Sequence, residues 1–152
     1  MTVIGQTKWV IPGGCIPFHT TGREPALLSQ DKISVLNTNE KDVNLTMTVL
    51  YPRAEPIGPY SLTVKARRMR TFRANDLVDP YPIDLEAEYA LTIETDAPVV
   101  IQYTRMNTGQ NEGALMGGFA YPLVFLDRQK ALILLIKALY IFLQYIQLVG
   151  TP

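Results

Sequence analysis

Apolar and polar side chains alternate along most of the first 122 residues, most sharply at 43–51. There Val43, Leu45, Met47, Val49 and Tyr51 are separated by Asn44, Thr46, Thr48 and Leu50. That period of two is what a half-buried β-strand requires. A first strand is predicted over 3–11, ending at Pro12-Gly13-Gly14, and residues 12–25, rich in Pro, Gly and Thr, read as a surface loop. A second strand lies within 26–37, with Ile33 and Val35 on one face, and 37–42 form a polar turn. Pro56, Gly58 and Pro59 mark another turn, followed by short strands at 60–64 and 67–72. Strands at 89–95 and 99–106 are joined by a turn at Asp96-Ala97-Pro98, because Pro98 can begin a strand but cannot sit inside a central one. A last strand at 113–121 contains Gly113, Gly117 and Gly118, which fit bulges or close backbone approach. Roughly eight short strands with frequent turn signals predict an all-β domain, an antiparallel sandwich or jelly roll. No βα alternation and no internal repeat interrupts this pattern.

From 126 to 149 the pattern changes to that of a helix. Lys130, Lys137 and Gln144 recur every seven residues on one narrow stripe, and from Ala131 only Gln147 otherwise breaks the apolar run. About 20 apolar residues span a bilayer, with Arg128 and Lys130 at the cytoplasmic flank. Lys137 would cost roughly 2.5–3.5 kcal/mol at the bilayer centre. Burial of this helix against the sheets, or against its copies in an oligomer, is therefore preferred to a membrane anchor. A tail produced by a frame change is a third reading. The chain divides on this basis into a sandwich domain, 1–122, and an apolar helical extension, 123–152.

At 152 residues the chain fits one domain with a substantial core. Fourteen bases balance fourteen acids, so no global field draws it to nucleic acid or an anionic membrane. Charged residues are 18% and apolar ones 47%, a shortage of surface charge that points to extensive burial, contacts between subunits included. One cysteine, Cys15, excludes an internal disulfide, and with the single His19 it makes no zinc pattern. The first residues lack the apolar core of a signal peptide, so a reducing cytoplasm is expected. With no Walker, Rossmann or zinc motif, neither cofactor nor metal is expected.

Against zero net charge, Lys65, Arg67, Arg68, Arg70 and Arg73 crowd into nine residues. Lys65, Arg68, Arg70 and Arg73 are the candidates for phosphate contact if the protein is a DNA-associated regulator. Strand alternation sets Arg67 and Met69 on one face and Arg68 and Arg70 on the other, whereas nucleic acid favours cations on one face with stacking aromatics. Pairing of Arg67 or Arg68 with Asp76, Asp79 or Glu55, fixing turns or a subunit contact, is the favoured alternative. Gln102-Tyr103-Thr104-Arg105 follows the apolar run 99–101, and polar groups entering a buried strand must be hydrogen-bonded or line a pocket. A lone tryptophan such as Trp9 is more often core than site. An aromatic face beside amide and arginine donors is nevertheless what a sugar needs. The candidate ligand set is therefore Trp9 for stacking, Arg67 or Arg68 as a planar fork, Asn75 and Gln102 for orientation, and Arg105. Cys15 and His19 lack an orienting acid, and Asp84, Glu86 and Glu88 read as a solvated edge rather than paired catalytic carboxylates. No set of acid, base and nucleophile points to an enzyme.

Residues about 5–122 resemble the sensory rhodopsin transducer family. The resemblance runs through Trp9, the Gly-x-Ile-Pro at Gly14 to Pro17, Glu24-Pro25 and Val35-Leu36-Asn37. It is most specific from Glu55-Pro56-Ile57-Gly58-Pro59-Tyr60 to Lys65-Ala66-Arg67-Arg68, and continues in Asn75-Asp76-Leu77, Asp79-Pro80, Pro82-Ile83 and the stretch from Pro98 to Arg105. It implies a β-sandwich homotetramer, soluble and cytoplasmic, that couples to a membrane photoreceptor in some bacteria. It also implies a wider role in binding small, sugar-like molecules, without catalysis. Residues 123–152 and the loop 18–23 depart from the family pattern. A membrane-tethered adaptor, docked through 126–149, is the remaining alternative.

Overall fold

The alternating segments build two antiparallel sheets that share one strand. The computed structural model describes residues 4–20, 28–109 and 114–122. The strands are β1 (Gln6–Gly14), β2 (Gln30–Asn37), β3 (Val43–Leu50), β4 (Ile57–Val64), β5 (Arg68–Arg73), β6 (Tyr89–Asn107), β7 (Ala114–Phe119) and β8 (Tyr121–Pro122). One sheet runs β4-β3-β6-β1-β8, and the other pairs β5 with β2, β2 with β6 and β6 with β7. Among the described residues the only helical element is the 3₁₀ turn Ala74–Asp76. The all-β class read from the sequence holds, and the helix expected at 126–149 lies outside the described residues.

Facing side chains form rows across the strands. In the first sheet Tyr60, Met47, Ile93 and Trp9 make one row, and Ile57, Val49, Leu91 and Ile11 the next. In the second, Phe72, Ile33 and Tyr103 are neighbours, as are Val35 and Ile101. These rows join in one apolar core. Each fully buried aliphatic or aromatic side chain contributes about 1.5–3 kcal/mol.

Three boundaries differ from the sequence reading, the first being that Pro12-Gly13-Gly14, expected as the turn after a strand at 3–11, is the end of β1 itself. The expected turn at Pro56-Gly58-Pro59 lies partly inside β4, which among the described residues pairs only with β3. An outer strand tolerates a proline, because the missing N–H faces no partner. The expected turn at Asp96-Ala97-Pro98 is instead a continuous part of β6, which crosses from one sheet to the other.

That crossing positions everything else. The sixteen residue steps from Tyr89 to Arg105 would span about 53 Å if straight. Both side chains nevertheless reach the same carboxylate, Asp31, so β6 doubles over. The fold is pinned at the far end of β2 by buried Asn37. Its amide donates to the carbonyls of Lys41 (2.9 Å), Val64 (3.0 Å) and Lys65 (3.1 Å), and its Oδ1 accepts the backbone N–H of Asn39 at 2.8 Å. Asn39 in turn donates to the Pro98 carbonyl at 2.8 Å, holding the bend of β6. The two ends of β6 therefore meet at the start of β2.

Candidate functional site

The meeting point is a buried polar cluster. Asp31, 1% exposed, lies directly opposite Arg105 in the β2–β6 register. Arg105 Nε donates to Asp31 Oδ1 at 2.9 Å and Nη2 to Oδ2 at 3.1 Å, the fork geometry that makes arginine–carboxylate pairs strong. Tyr89, at the other end of β6, donates its hydroxyl to Oδ2 at 2.6 Å. Its ring passes under β1 because residue 14 is glycine: a Cβ there would stand 2.2 Å from the Tyr89 ring. A longer contact runs from Arg105 Nη2 to the Gly13 carbonyl, 3.4 Å.

Tyr103 completes the cluster from below. The Arg105 guanidinium stands 5.9 Å from its ring centroid, within cation–π range. Its hydroxyl lies near enough to Asp31 and Arg105 to feel both, though without a hydrogen bond of good geometry to either. Burial, and then the Asp31 charge, push the Tyr89 and Tyr103 hydroxyls well above the ordinary tyrosine range. The Arg105 guanidinium is pushed further up by its bond to Asp31.

Beside Tyr89 and Arg105 opens a cavity of about 490 Å³, walled by residues 12–15, 50–52 and 88–90 together with Arg105. A second, of about 600 Å³, shares Tyr51, Pro52 and Glu88 with it and adds Arg53, Ala54, Asp84, Glu86 and Ala87. Tyr51 is fixed in the common wall, accepting the Asp84 backbone N–H on its hydroxyl at 3.1 Å. Aromatic rings and a few fixed polar groups line this region, two features that small-molecule sites share.

Of the ligand set proposed from the sequence (Trp9, Arg67, Arg68, Asn75, Gln102, Arg105), only Arg105 lines this cavity. Trp9 is 7% exposed within the core and donates its indole N–H to the Gln6 carbonyl at 2.9 Å, so neither its face nor its donor is open for stacking. Gln102 is exposed, its strand position opposite Ser34, on the face away from Tyr103 and Arg105. Asn75 donates to the Ser29 carbonyl at 3.2 Å. Cys15 is half-buried in the cavity wall. His19 is exposed, edge-on to Phe18 at 5.3 Å, and no hydrogen bond among the described residues joins it to Cys15. The acids read as a solvated edge, Asp84, Glu86 and Glu88, are all exposed, and they also border the cavities.

The cations of 65–73 are dispersed. Lys65 pairs with Asp42 at 2.8 Å, Arg67 with Glu40, and Arg73 with Asp76 at 2.6 and 2.9 Å. Arg68 bonds the Arg67 carbonyl at 3.0 Å and Arg70 the Thr63 carbonyl at 2.8 Å. Arg67 is not in a strand but in the preceding turn, at φ 52°. The expected pairing of Arg67 or Arg68 with Asp76, Asp79 or Glu55 is not formed among the described residues: Arg67 pairs with Glu40, and Asp76 with Arg73. Sequence reasoning missed Asp31, Tyr89 and Tyr51. Only the strand register, Asp31 opposite Arg105, would have singled out Asp31.

The comparisons with known proteins agree with this architecture. The family model for the Anabaena sensory rhodopsin transducer matches residues 4–122. The solved structure of the Anabaena sensory rhodopsin transducer is 40% identical, covers 68% of this chain and 100% of its own, and superposes with a TM-score of 0.63. The crystal structure of Thermotoga maritima 1070 is 25% identical, covers 78% of this chain and 96% of its own, with a TM-score of 0.68. No curated protein matches the sequence. Most of the chain is thus accounted for by one β-domain family, and the chain belongs to the Anabaena sensory rhodopsin transducer family.

Proposed function

We propose that this protein is a non-enzymatic signalling module that binds a small polar, sugar-like molecule in the cavity beside the Asp31–Arg105 pair. The observation that carries this is the built wall of that cavity: a buried carboxylate holding Arg105 and Tyr89 in fixed positions. Donors held in place before binding lose little freedom when a ligand arrives. In this reading Arg105 orients hydroxyls, the Tyr51 ring replaces Trp9 as the stacking surface, and the occupied cavity alters a surface read by a partner. The relative named as a sensory rhodopsin transducer supports a membrane photoreceptor as that partner, with the module a cytoplasmic homo-oligomer, a tetramer by family resemblance.

The test uses the single cysteine. Cys15 lines the cavity, so a bound ligand slows its alkylation and raises the melting temperature together. A panel of neutral and charged sugars is screened for both effects. Arg105→Lys, which keeps charge but not the fork, weakens them. If no sugar protects Cys15, or Arg105→Lys leaves protection unchanged, this site is wrong. DNA binding through residues 65–73 is the less favoured reading, since acidic partners hold Lys65, Arg67 and Arg73. Among the described residues no helix is long and apolar enough to cross a membrane.

A further inference from the structure

We infer that the outer edge of β4 is a self-complementary docking surface: a second copy of this chain lays its own β4 antiparallel against it, about a twofold axis at Ser61. The inference does not rest on the ligand cavity. It adds to the expected homo-oligomer the surface through which two copies meet.

The backbone of β4 fixes which groups are on offer. Among the described residues β4 pairs only with β3. Thr63 stands opposite Asn44, yet the Asn44 N–H goes to Asp96 at 2.9 Å and the Thr63 carbonyl accepts from Arg70 at 2.8 Å. The backbone groups of Thr63 therefore face away from β3. Alternate residues of a strand face the same way, so the Ser61 N–H and carbonyl point outward too. Tyr60 turns to β3, opposite Met47, which sends the Pro59 carbonyl of the same planar peptide outward. The open edge thus presents the Pro59 carbonyl, both Ser61 groups and the Thr63 N–H. Pro59 has no N–H, and the Thr63 carbonyl is taken.

That series of groups fits itself. With the axis at Ser61, the Ser61 residues of the two copies exchange both backbone bonds, and Thr63 of each stands opposite Pro59 of the other. The Thr63 N–H then donates to the Pro59 carbonyl. The return bond is missing on both sides at once, since Pro59 lacks the donor and Arg70 fills the acceptor. An ordinary strand would bring an N–H to the occupied Thr63 carbonyl and leave it unsatisfied, at a cost. A second copy brings none.

Space and charge agree with this. Cavities of about 360 and 440 Å³ flank the edge and share Ser61 and Leu62, so β4 lies along an open groove. The wall beside Gly58 and Pro59 is formed by residues 76–80, with Val78 exposed, and the other cavity ends at Arg70. A twofold axis at Ser61 brings the Arg70 end of one copy to the Asp79 wall of the other. Asp76 is held by Arg73, whereas Asp79 forms no ion pair among the described residues. Arg70 and Asp79 of opposite copies are therefore partners. Nor does β4 itself carry a charged residue of the kind that keeps edges apart.

The experiment uses Ser61→Cys in the full-length chain, with Cys15→Ala removing the other thiol. Residues opposed in such a pair have Cα atoms about 5.5 Å apart, within the roughly 4.4–6.8 Å that a disulfide spans. Mild oxidation should yield a covalent dimer. Thr46→Cys in the same background is the control: it is exposed and next to Ser61 on β3, but its two copies would stand three strand spacings apart, about 14 Å, and should not link. Ser61→Pro removes only an outward N–H, so the β3–β4 ladder remains, and it should weaken association at least about tenfold in a sedimentation concentration series. Asp79→Arg sets like charges opposite each other and should also weaken it, while Arg70→Asp added to it restores association. Ser61→Cys that stays monomeric on oxidation, or Thr46→Cys that links as readily, overturns the inference. So does a Ser61→Pro variant that associates as tightly as the unaltered chain, or a charge exchange that changes nothing. Each of these failures leaves the cavity reading standing, because Cys15 protection tests that separately.

Discussion

Replacing Asp31 by asparagine tests whether the buried pair at the start of β2 holds the two ends of β6 together. The amide has the shape of the carboxylate but offers one acceptor where three donors now converge: Arg105 Nε, Arg105 Nη2 and the Tyr89 hydroxyl. Its own NH₂ would face one of those donors. Removing one partner of a buried ion pair costs about 3–5 kcal/mol, because the other charge is left uncompensated. The Arg105 side chain is 21% exposed and regains some hydration, which places the loss near the lower bound, about 3 kcal/mol. For a chain of this size that lowers the melting temperature by about 10 °C. Urea unfolding at fixed protein concentration measures it, since any assembly would make the midpoint depend on concentration. Arg105→Gln, alone and combined with Asp31→Asn, closes the cycle. The double variant should be more stable than the sum of the single losses predicts, by at least about 1.5 kcal/mol. Strict additivity, or a loss below about 1 kcal/mol for Asp31→Asn, would refute the idea that this pair fastens β6.

Three other outcomes follow from the same geometry. Gly14→Ala places a Cβ 2.2 Å from the Tyr89 ring and should cost about 1–3 kcal/mol or more by displacing it, whereas Gly13→Ala meets nothing within 4 Å and should change stability by less than about 0.5 kcal/mol; equal effects in denaturant titration would contradict the packing. Asn37→Ala strips the donor from three carbonyls and the acceptor from the Asn39 N–H, an expected loss of about 3 kcal/mol, and hydrogen exchange should show the 96–98 bend of β6 opening first. Tyr60, Tyr89 and Tyr103 are held above the ordinary tyrosine value of 10.0 chiefly by burial. Their raised folded values contribute stability that is complete below about pH 10 and is lost as pH rises through them, when the unfolded chain ionises first. Phenolate absorbance should therefore rise in two stages, the second coincident with loss of the circular dichroism signal. A single stage completed while the fold is intact would count against their burial.

Local periodicity carried most of the architecture, because an alternating segment such as 43–51 can bury only one face whatever it pairs with. Where the reading failed, the deciding information was not local. The residues 96–98 look like a turn in isolation, and they become a sheet-crossing bend only because Asn39 holds the Pro98 carbonyl from another connection. Pro59 looks like punctuation until β4 is known to lie at an edge. Trp9 has the chemistry of a stacking platform, but its row, with Ile93, Met47 and Tyr60 as neighbours, puts it in the core. Asp31 carries no motif. Its importance arises from a register that sets it opposite Arg105 and from a doubled strand that returns Tyr89 to the same point.

The basic run gains its meaning from position in the sheets. Among the described residues β4 pairs only with β3, and β5 only with β2, so the turn at 65–67 links two outer strands whose backbone groups could template further strands. Charged side chains on such edges discourage that pairing. Arg70 adds a direct block: it reaches from β5 to the Thr63 carbonyl of β4, occupying an edge acceptor and tying the two sheets together where they are open. Lys65 and Arg67 turn back to Asp42 and Glu40, so the turn at 65–67 is clasped to the turn before β3. Burying any of these exposed pairs would be needed to make them strong, and as they stand each contributes about 0–1 kcal/mol. Their value is geometric. They hold closed the edge where β4 and β5 meet, at the end of β2 opposite Asp31 and away from the cavity beside Arg105.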